Sequence, residues 1–452
     1  MSEQRKLFGT DGIRGRVNEY PITPEVALSM GRAVARVLRT SGKMRNRVLI
    51  GKDTRVSGYM LETALTSGLV SMGMDVLLVG PLPTPAVAHL TKSMGAAAGV
   101  MITASHNPFQ DNGLKVFGPD GYKLNDELED LIERHILGEE SEGKPLPPER
   151  IGKAWRIDDA RGRYIEYAKH TADNIPLHGL KVVVDCGNGA AYSIAPLIFR
   201  ELGAEVVVTA DQPDGMNINE GCGALHPERA SELVLEHNAD LGVSLDGDAD
   251  RVIFTDANGE LVGGDRVLGM CAVGLKEQGR LMGDTLVTTV MSNLGLTETL
   301  KGHGIAVEQV AVGDRHVIER IREKGYSFGG ENSGHLIFAD HATTGDGILS
   351  ALLVLRMMRE KGATLAQLSS GFREYPSVLS NMPVAAKPRL ETLEKLQALM
   401  KEADAAFGDI GRHLIRYSGT EKKIRVLVEH KDADECRLWV ERFEDVIRGE
   451  IG

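Results

Sequence analysis

The sequence predicts an α/β protein of three similar α/β domains with mixed sheets, closed by a smaller C-terminal α+β domain. Three observations predict it. Apolar strand-like runs alternate with helical stretches from residue 24 to about 361, polar loops stand at the carboxyl ends of several predicted strands, and the alternation ends before the last helices and strands. At 452 residues the chain is also too long for one compact core.

Thr23-Pro24-Glu25 offers a cap, a first-turn proline and an acid at the positive end of a helix, which predicts a helix to about Arg39. A strand over 47–51, a helix over 57–72, a strand over 75–79, a helix over 85–93 and a strand over 98–102 follow. Such alternation implies parallel strands covered by helices. The polar stretch 139–150, with prolines at 145, 147 and 148, marks the expected end of a first domain, residues 1–150.

A second domain, 151–256, is expected to hold strands over 181–185, 205–209 and 239–245 and a helix reaching about Leu202. Asp256-Ala257-Asn258-Gly259 is a turn signal between two short strands. A third alternating unit, 257–370, continues to about Lys361, with 362–375 as its link to the last domain, 371–452. There, helices near 390–405 and 433–448 flank strands near His413 and over 424–429.

Composition removes several function classes. With 42% hydrophobic and 26% charged residues the chain is neither disordered nor fibrous. A formal charge of -12 disfavours nucleic acid and anionic membranes as partners. Four cysteines, 186, 222, 271 and 436, form no C-x-x-C pair, which suits a reducing cytoplasm rather than a disulfide framework. The first residues lack the apolar stretch of a signal peptide, and runs such as 351–355 are far shorter than the roughly 20 residues that span a bilayer. A cytoplasmic protein is expected.

Thr103-Ala104-Ser105-His106-Asn107-Pro108 stands at the carboxyl end of a predicted strand, where ligand sites of open α/β sheets gather. Its bland alternative is a Ser/Asn/Pro turn. Ser105 and His106 are not a hydrolase pair, because neighbouring side chains generally diverge. Asp246-Gly247-Asp248-Ala249-Asp250-Arg251 is the second strong signal, since carboxylates two residues apart on an extended chain share one side. Unit charges about 4 Å apart repel by roughly 4 kcal/mol at an effective dielectric of about 20, so this cluster calls for a cation. A calcium loop fails, with Arg251 at its sixth position and Ala257 at its twelfth. Carboxylates alone favour a hard ion such as Mg²⁺ bound partly to phosphate, and a phosphoryl group on Ser105 would complete its shell.

Weaker segments add to these. Phe8 to Gly15 combines flexible backbone with Arg14, and Arg416-Tyr417-Ser418-Gly419-Thr420-Glu421 with Arg425 suits a phosphate cradle. Gly329-Gly330-Glu331-Asn332-Ser333-Gly334-His335 offers a carboxylate, a hydroxyl and an imidazole to sugar hydroxyls. Gly313-Asp314-Arg315 reads equally as the first turn of a helix.

Taken in order, these segments resemble the α-D-phosphohexomutase superfamily over nearly the whole chain, and most closely its bacterial branch acting on glucosamine phosphate. The resemblance implies four domains around a central cleft, each contributing one loop. It implies phosphorylation of Ser105, one Mg²⁺ per chain bound by Ser105, Asp246, Asp248 and Asp250, and sugar hydroxyls held by Glu331 and Ser333. Arg416, Ser418, Gly419, Thr420 and Arg425 would hold the phosphate that is not reacting, Arg251 would join the substrate site, and Arg14, Lys115 and His335 would lie at the transferring group. Lys115, in Asp111-Asn112-Gly113-Leu114-Lys115, is the acid/base candidate. The implied reaction interconverts glucosamine 6-phosphate and glucosamine 1-phosphate through a bisphosphate, supplying amino-sugar nucleotide and cell-wall precursors.

Phe8 to Gly15, Phe109-Gln110-Asp111-Asn112-Gly113 and the overall length carry the branch assignment. Asn332 stands where that branch often has Gln, and Tyr417 and Lys422 also depart from its pattern, changes that touch substrate preference rather than reaction type. A phosphomannomutase or phosphoglucomutase would share the same centre. A non-catalytic sugar-phosphate sensor could lose Ser105 or an aspartate, yet every expected position is filled. The partner expected is a hexosamine phosphate, and the sequence leaves a homodimer open.

Overall fold

The structure, a computed structural model, describes residues 7–9, 11–39, 46–140, 146–418 and 422–451. The chain forms two compact units, one of Met1–Met291 with Ile305–Ser370 and one of Ser292–Gly304 with Gly371–Gly452. Among the described residues, the strands form sheets of seven, five, four and three.

The seven-stranded sheet of the first unit explains the placement of Ser105. Strands Arg47–Lys52, Asp75–Pro81 and Ala98–Ile102 run parallel, as the alternation implied. Asp111–Phe117 and Gly12–Arg16 join antiparallel, so the sheet is mixed. Helix Pro24–Arg39 starts at the predicted cap, where Thr23 Oγ1 accepts from Val26 N, and its Met30 and Val34 pack into a core with Leu61, Leu65, Val48 and Val100. This sheet also runs past the expected boundary at 150. Strand Ala154–Arg156 pairs with Asp75–Pro81, because the polar stretch before it returns the chain to the sheet instead of leaving it.

The five-stranded sheet orders Leu261–Val262, Val252–Asp256, Leu241–Leu245, Lys181–Asp185 and Glu205–Thr209. Its edge strand Leu261–Val262 lies beyond the expected limit of 256, since the Asp256 turn joins two strands of one sheet. The four-stranded sheet holds Ala306–Val310, Thr285–Thr289, Phe328–Gly330 and Leu336–Phe338. Helix Leu365–Ser369, with a complete capping box at Thr364 and Gln367, occupies the segment expected to be a plain link.

In the second unit, Ser377–Pro383, Lys423–His430 and Gly411–Tyr417 form an antiparallel sheet whose apolar face meets helices Glu394–Phe407 and Ala433–Ile451 through Leu396, Phe407, Val426, Trp439 and Phe443. Helix Leu294–Gly302 groups with this unit by its contacts. The cause is polar: Leu294 N donates to Glu429 at 2.9 Å, and Asn293 exchanges two hydrogen bonds with the Tyr375 backbone. The four cysteines are free and buried. Among the described residues, no helix is long and apolar enough to cross a membrane.

Candidate active site

Strand Ala98–Ile102 is buried throughout and delivers Ser105, itself 1% exposed, at its carboxyl end. Ser105 has a φ of +51°, a left-handed conformation that is unfavourable for a residue with a Cβ and must be held by its surroundings. Two side chains hold it. Arg55, fully buried and paired with Asp53, donates to the Ser105 carbonyl at 3.1 Å and to the Asn107 carbonyl. Asn219 donates to the same two carbonyls at 3.0 and 3.2 Å. The turn also brings Ser105 Oγ within 3.3 Å of His106 Nδ1, so these side chains do not diverge as expected. Burial, with Arg251 and Arg14 nearby, pushes His106 down to about 4.

The Ser105 hydroxyl donates to Asp246 at 2.6 Å. Asp246, Asp248 and Asp250 follow the buried strand Leu241–Leu245, but in a turn with Ala249 at φ +54° rather than on an extended chain. Their carboxylates still converge, each offering an oxygen within 4.8 Å of the others. Gly247 permits this approach, since a Cβ there would lie 2.5 Å from the Ser105 carbonyl. Burial, and then the charges of Asp250 and Asp248, hold Asp246 well above the usual carboxylate range. Burial acts likewise on Asp250, but Lys115, His335 and Arg251 outweigh it and hold that carboxyl low.

Asp248 Oδ1 and Asp250 Oδ1 are buried without a hydrogen-bond partner. Buried carboxylate oxygens without a hydrogen bond, converging with the third aspartate, fit a hard divalent cation, which would satisfy them. Lys115, 1% exposed, reaches Asp248 at 2.9 Å, Asp11 at 3.1 Å and Asp250 at 3.5 Å. Burial opposes its charge, but these three carboxylates raise its pKa well above the ordinary value. Arg14 pairs with Asp11, and Arg251 Nε lies 3.8 Å from Asp250.

Loop 330–335 joins this cluster. His335 Nδ1 is 3.7 Å from Asp250, while Nε2 lies 3.0 Å from Gly345 N and 3.6 Å from Asp314. Gly345 is glycine by necessity, because a Cβ would meet the His335 ring at 2.5 Å. Glu331 accepts from Gly313 N at 3.1 Å, and Ser333 Oγ is buried without a partner. Ser105, the three aspartates, Lys115, Arg14, Arg251, Glu331, Ser333 and His335 thus belong to one unit.

Arg416, Ser418 and Arg425 belong to the other unit, where Arg416 stands directly opposite Arg425 on adjacent strands. Burial and then Arg425 lower the pKa of Arg416, and Lys387 donates to the Ser418 carbonyl at 2.6 Å. Gly419 and Thr420 lie outside the described residues.

Sequence reasoning missed Arg55, Asn219, Lys123 and the roles of Asp11 and Asp314. Asp53-Thr54-Arg55 follows a predicted strand, and the position that singled out Ser105 would have found it. Lys123 bridges Asp11 and Asp314 at 2.5 and 2.7 Å and carries no local signal.

Four models of the phosphoglucomutase/phosphomannomutase family match in sequence: alpha/beta/alpha domain I at residues 5–143, domain II at 162–259, domain III at 263–375 and the C-terminal domain at 379–446. The chain is 52% identical over 450 residues to a phosphoglucosamine mutase of Geotalea daltonii, covering 99% of each chain. It is 52% identical over 444 residues to a phosphoglucosamine mutase of Paracoccus denitrificans, covering 98% of each. A phosphoglucomutase/phosphomannomutase family protein from Burkholderia thailandensis superposes with a TM-score of 0.81 at 25% identity, over 98% of this chain and 97% of that one. By these matches, which run through all four sheets, the chain belongs to the phosphoglucomutase/phosphomannomutase family.

Proposed function

We propose that this chain interconverts glucosamine 6-phosphate and glucosamine 1-phosphate as a phosphoglucosamine mutase working through phosphorylated Ser105. One observation carries the reaction type: the Ser105 hydroxyl lies 2.6 Å from Asp246 within a buried aspartate cluster in which Asp248 Oδ1 makes no hydrogen bond. The substrate rests on relatives of that name at 52% identity over nearly their full length.

A phosphoryl group on Ser105 Oγ passes to the free hydroxyl of the sugar monophosphate, breaking the Oγ–P bond and forming a sugar O–P bond, while that hydroxyl gives up its proton and Ser105 Oγ takes one up, so that the exchange is balanced. The bisphosphate turns, and Oγ recovers a phosphoryl group from the other end. Asp246, Asp248, Asp250 and the oxygen on Ser105 would hold Mg²⁺, which supplies Lewis-acid stabilisation of the transferring group when bound. Lys115, kept as an ammonium by its carboxylates, meets the negative charge spread over the phosphoryl oxygens and supports the acid half of its expected role. Arg14 and Arg251 add positive charge, and Glu331 and Ser333 accept and donate to sugar hydroxyls. Arg416, Ser418, Gly419, Thr420 and Arg425 anchor the idle phosphate, since charge-assisted hydrogen bonds hold a phosphate without reading the carbon that bears it.

A coupled assay with glucosamine, glucose and mannose 6-phosphates tests this reading, together with mass spectrometry of Ser105. The highest kcat/KM should fall on the glucosamine compound, and the purified protein should carry phosphate on Ser105. Equal or greater efficiency with glucose or mannose 6-phosphate would reassign the substrate.

A further inference from the structure

Six side chains of the first unit close a circuit beside the aspartate cluster. Asp250 lies 3.5 Å from Lys115, Lys115 3.1 Å from Asp11, Asp11 2.5 Å from Lys123, Lys123 2.7 Å from Asp314, Asp314 3.6 Å from His335, and His335 3.7 Å from Asp250. Acid alternates with base all the way round. Asp250, Lys115 and His335 belong to the site already described, whereas Lys123 stands across the circuit from it and links Asp11 to Asp314.

The position of Lys123 is fixed from both sides. It sits in the turn after strand Asp111–Phe117, where Gly118 N donates to Tyr122 O at 2.7 Å. Adjacent Tyr122 packs into the core of the four-stranded sheet with Val287, Val317, Ile321 and Ile337, and Arg322 lies 4.0 Å above its ring. Thr343 donates to the Gly121 carbonyl at 2.6 Å. A second ion pair fastens the same seam: Arg315, next to Asp314, meets Glu129 at 2.6 Å and also Asp126. The Gly313-Asp314-Arg315 motif therefore presents two adjacent opposite charges, one to Lys123 and the other to Glu129 and Asp126.

We propose that Lys123 is a positioning residue for phosphoryl transfer, fixing the Lys115 ammonium through Asp11 and the His335 ring through Asp314. This rests on the reading of Ser105 and Lys115 as the centre of transfer. Without the ammonium of Lys123, Asp11 and Asp314 become two half-buried carboxylates of like charge with the cation between them removed. They must move apart or pull harder on Lys115 and His335, and either response displaces groups set against Asp250. Sugar-binding groups stay in place, so the loss should appear in turnover rather than in substrate affinity.

Steady-state kinetics with glucosamine 6-phosphate, alongside thermal melts, test this on full-length parent, Lys123→Met, Lys123→Arg, Asp314→Asn and Arg315→Met proteins. Lys123→Met should lower kcat by about 30-fold with KM within about threefold, and Lys123→Arg should recover kcat to within about fivefold of the parent. Arg315→Met, which breaks the same seam outside the circuit, should lower the melting temperature yet keep kcat within about threefold. If the parent is active and Lys123→Met keeps kcat within about threefold, or if Arg315→Met lowers kcat as much, the proposal is overturned while the functional reading stands. Should Lys123→Met fail to fold, Asp314→Asn decides: a kcat loss of about tenfold supports the circuit and an unchanged kcat overturns it. A parent that converts none of the sugar phosphates overturns both readings together.

Discussion

Two regions of this protein manage charge in opposite ways. Around Ser105, acids and bases interleave: Lys115 is shared among three carboxylates, and Lys123 between two. In the C-terminal unit, two guanidiniums of the same sign, Arg416 and Arg425, face each other across an antiparallel strand pair, an arrangement that by itself disfavours folding. A centre through which a phosphoryl group passes must hold its groups steady while charge moves. A region that, on the proposed function, only grips phosphate needs its cations aimed at one ligand. The difference implies that substitutions in the first region act on turnover and those in the second on affinity.

Ser105→Ala is the largest test. It should reduce kcat by about 10⁴-fold while sugar phosphate still binds, because the hydroxyl carries the transferred group and adds little ground-state affinity. Substantial residual turnover would remove Ser105 from the mechanism. Asp248→Asn comes next, with kcat down about 100-fold and the Mg²⁺ half-saturation point up about tenfold, since an amide replaces one anionic ligand. Normal metal dependence in that variant would break the assignment of the aspartate cluster.

Arg416→Ala and Arg425→Ala sharpen the contrast from the other side. Each should raise KM by about tenfold, the value of a charge-assisted hydrogen bond to phosphate, with kcat changed less. The melting temperature, read in the same preparations, separates a loss of affinity from a loss of structure. A lowered melting temperature with unchanged KM would show that the pair is structural.

What the sequence disclosed follows the range of the interactions. Ser105, the run Asp246 to Asp250, and Glu331 to His335 are contiguous, so residue type and spacing alone expose them. Helix Pro24–Arg39 and strand Ala98–Ile102 were legible for the same reason, one from its cap and one from an unbroken apolar run. Arg55, Asn219 and Lys123 act at a distance: Asn219 reaches Ser105 over 114 positions, and Lys123 reaches Asp11 over 112 and Asp314 over 191. No local pattern encodes such meetings. The strand beyond 150 was hidden for a similar reason: polar, proline-rich composition reports a loop but not that the chain then returns to add Ala154–Arg156.

The grouping of Ser292–Gly304 with the C-terminal unit sets an order of events during synthesis. Leu294 waits for Glu429, 135 positions later, before its amide finds the carboxylate that holds it. At ribosomal speeds of about 5–20 residues per second, that interval is on the order of ten seconds, in which helix Leu294–Gly302 has been made but its partners have not. A chain stopped at Gly371 would carry that orphan helix permanently. Any attempt to study the rest of the protein without its C-terminal sheet should therefore replace Leu294–Gly302 as well as remove the tail.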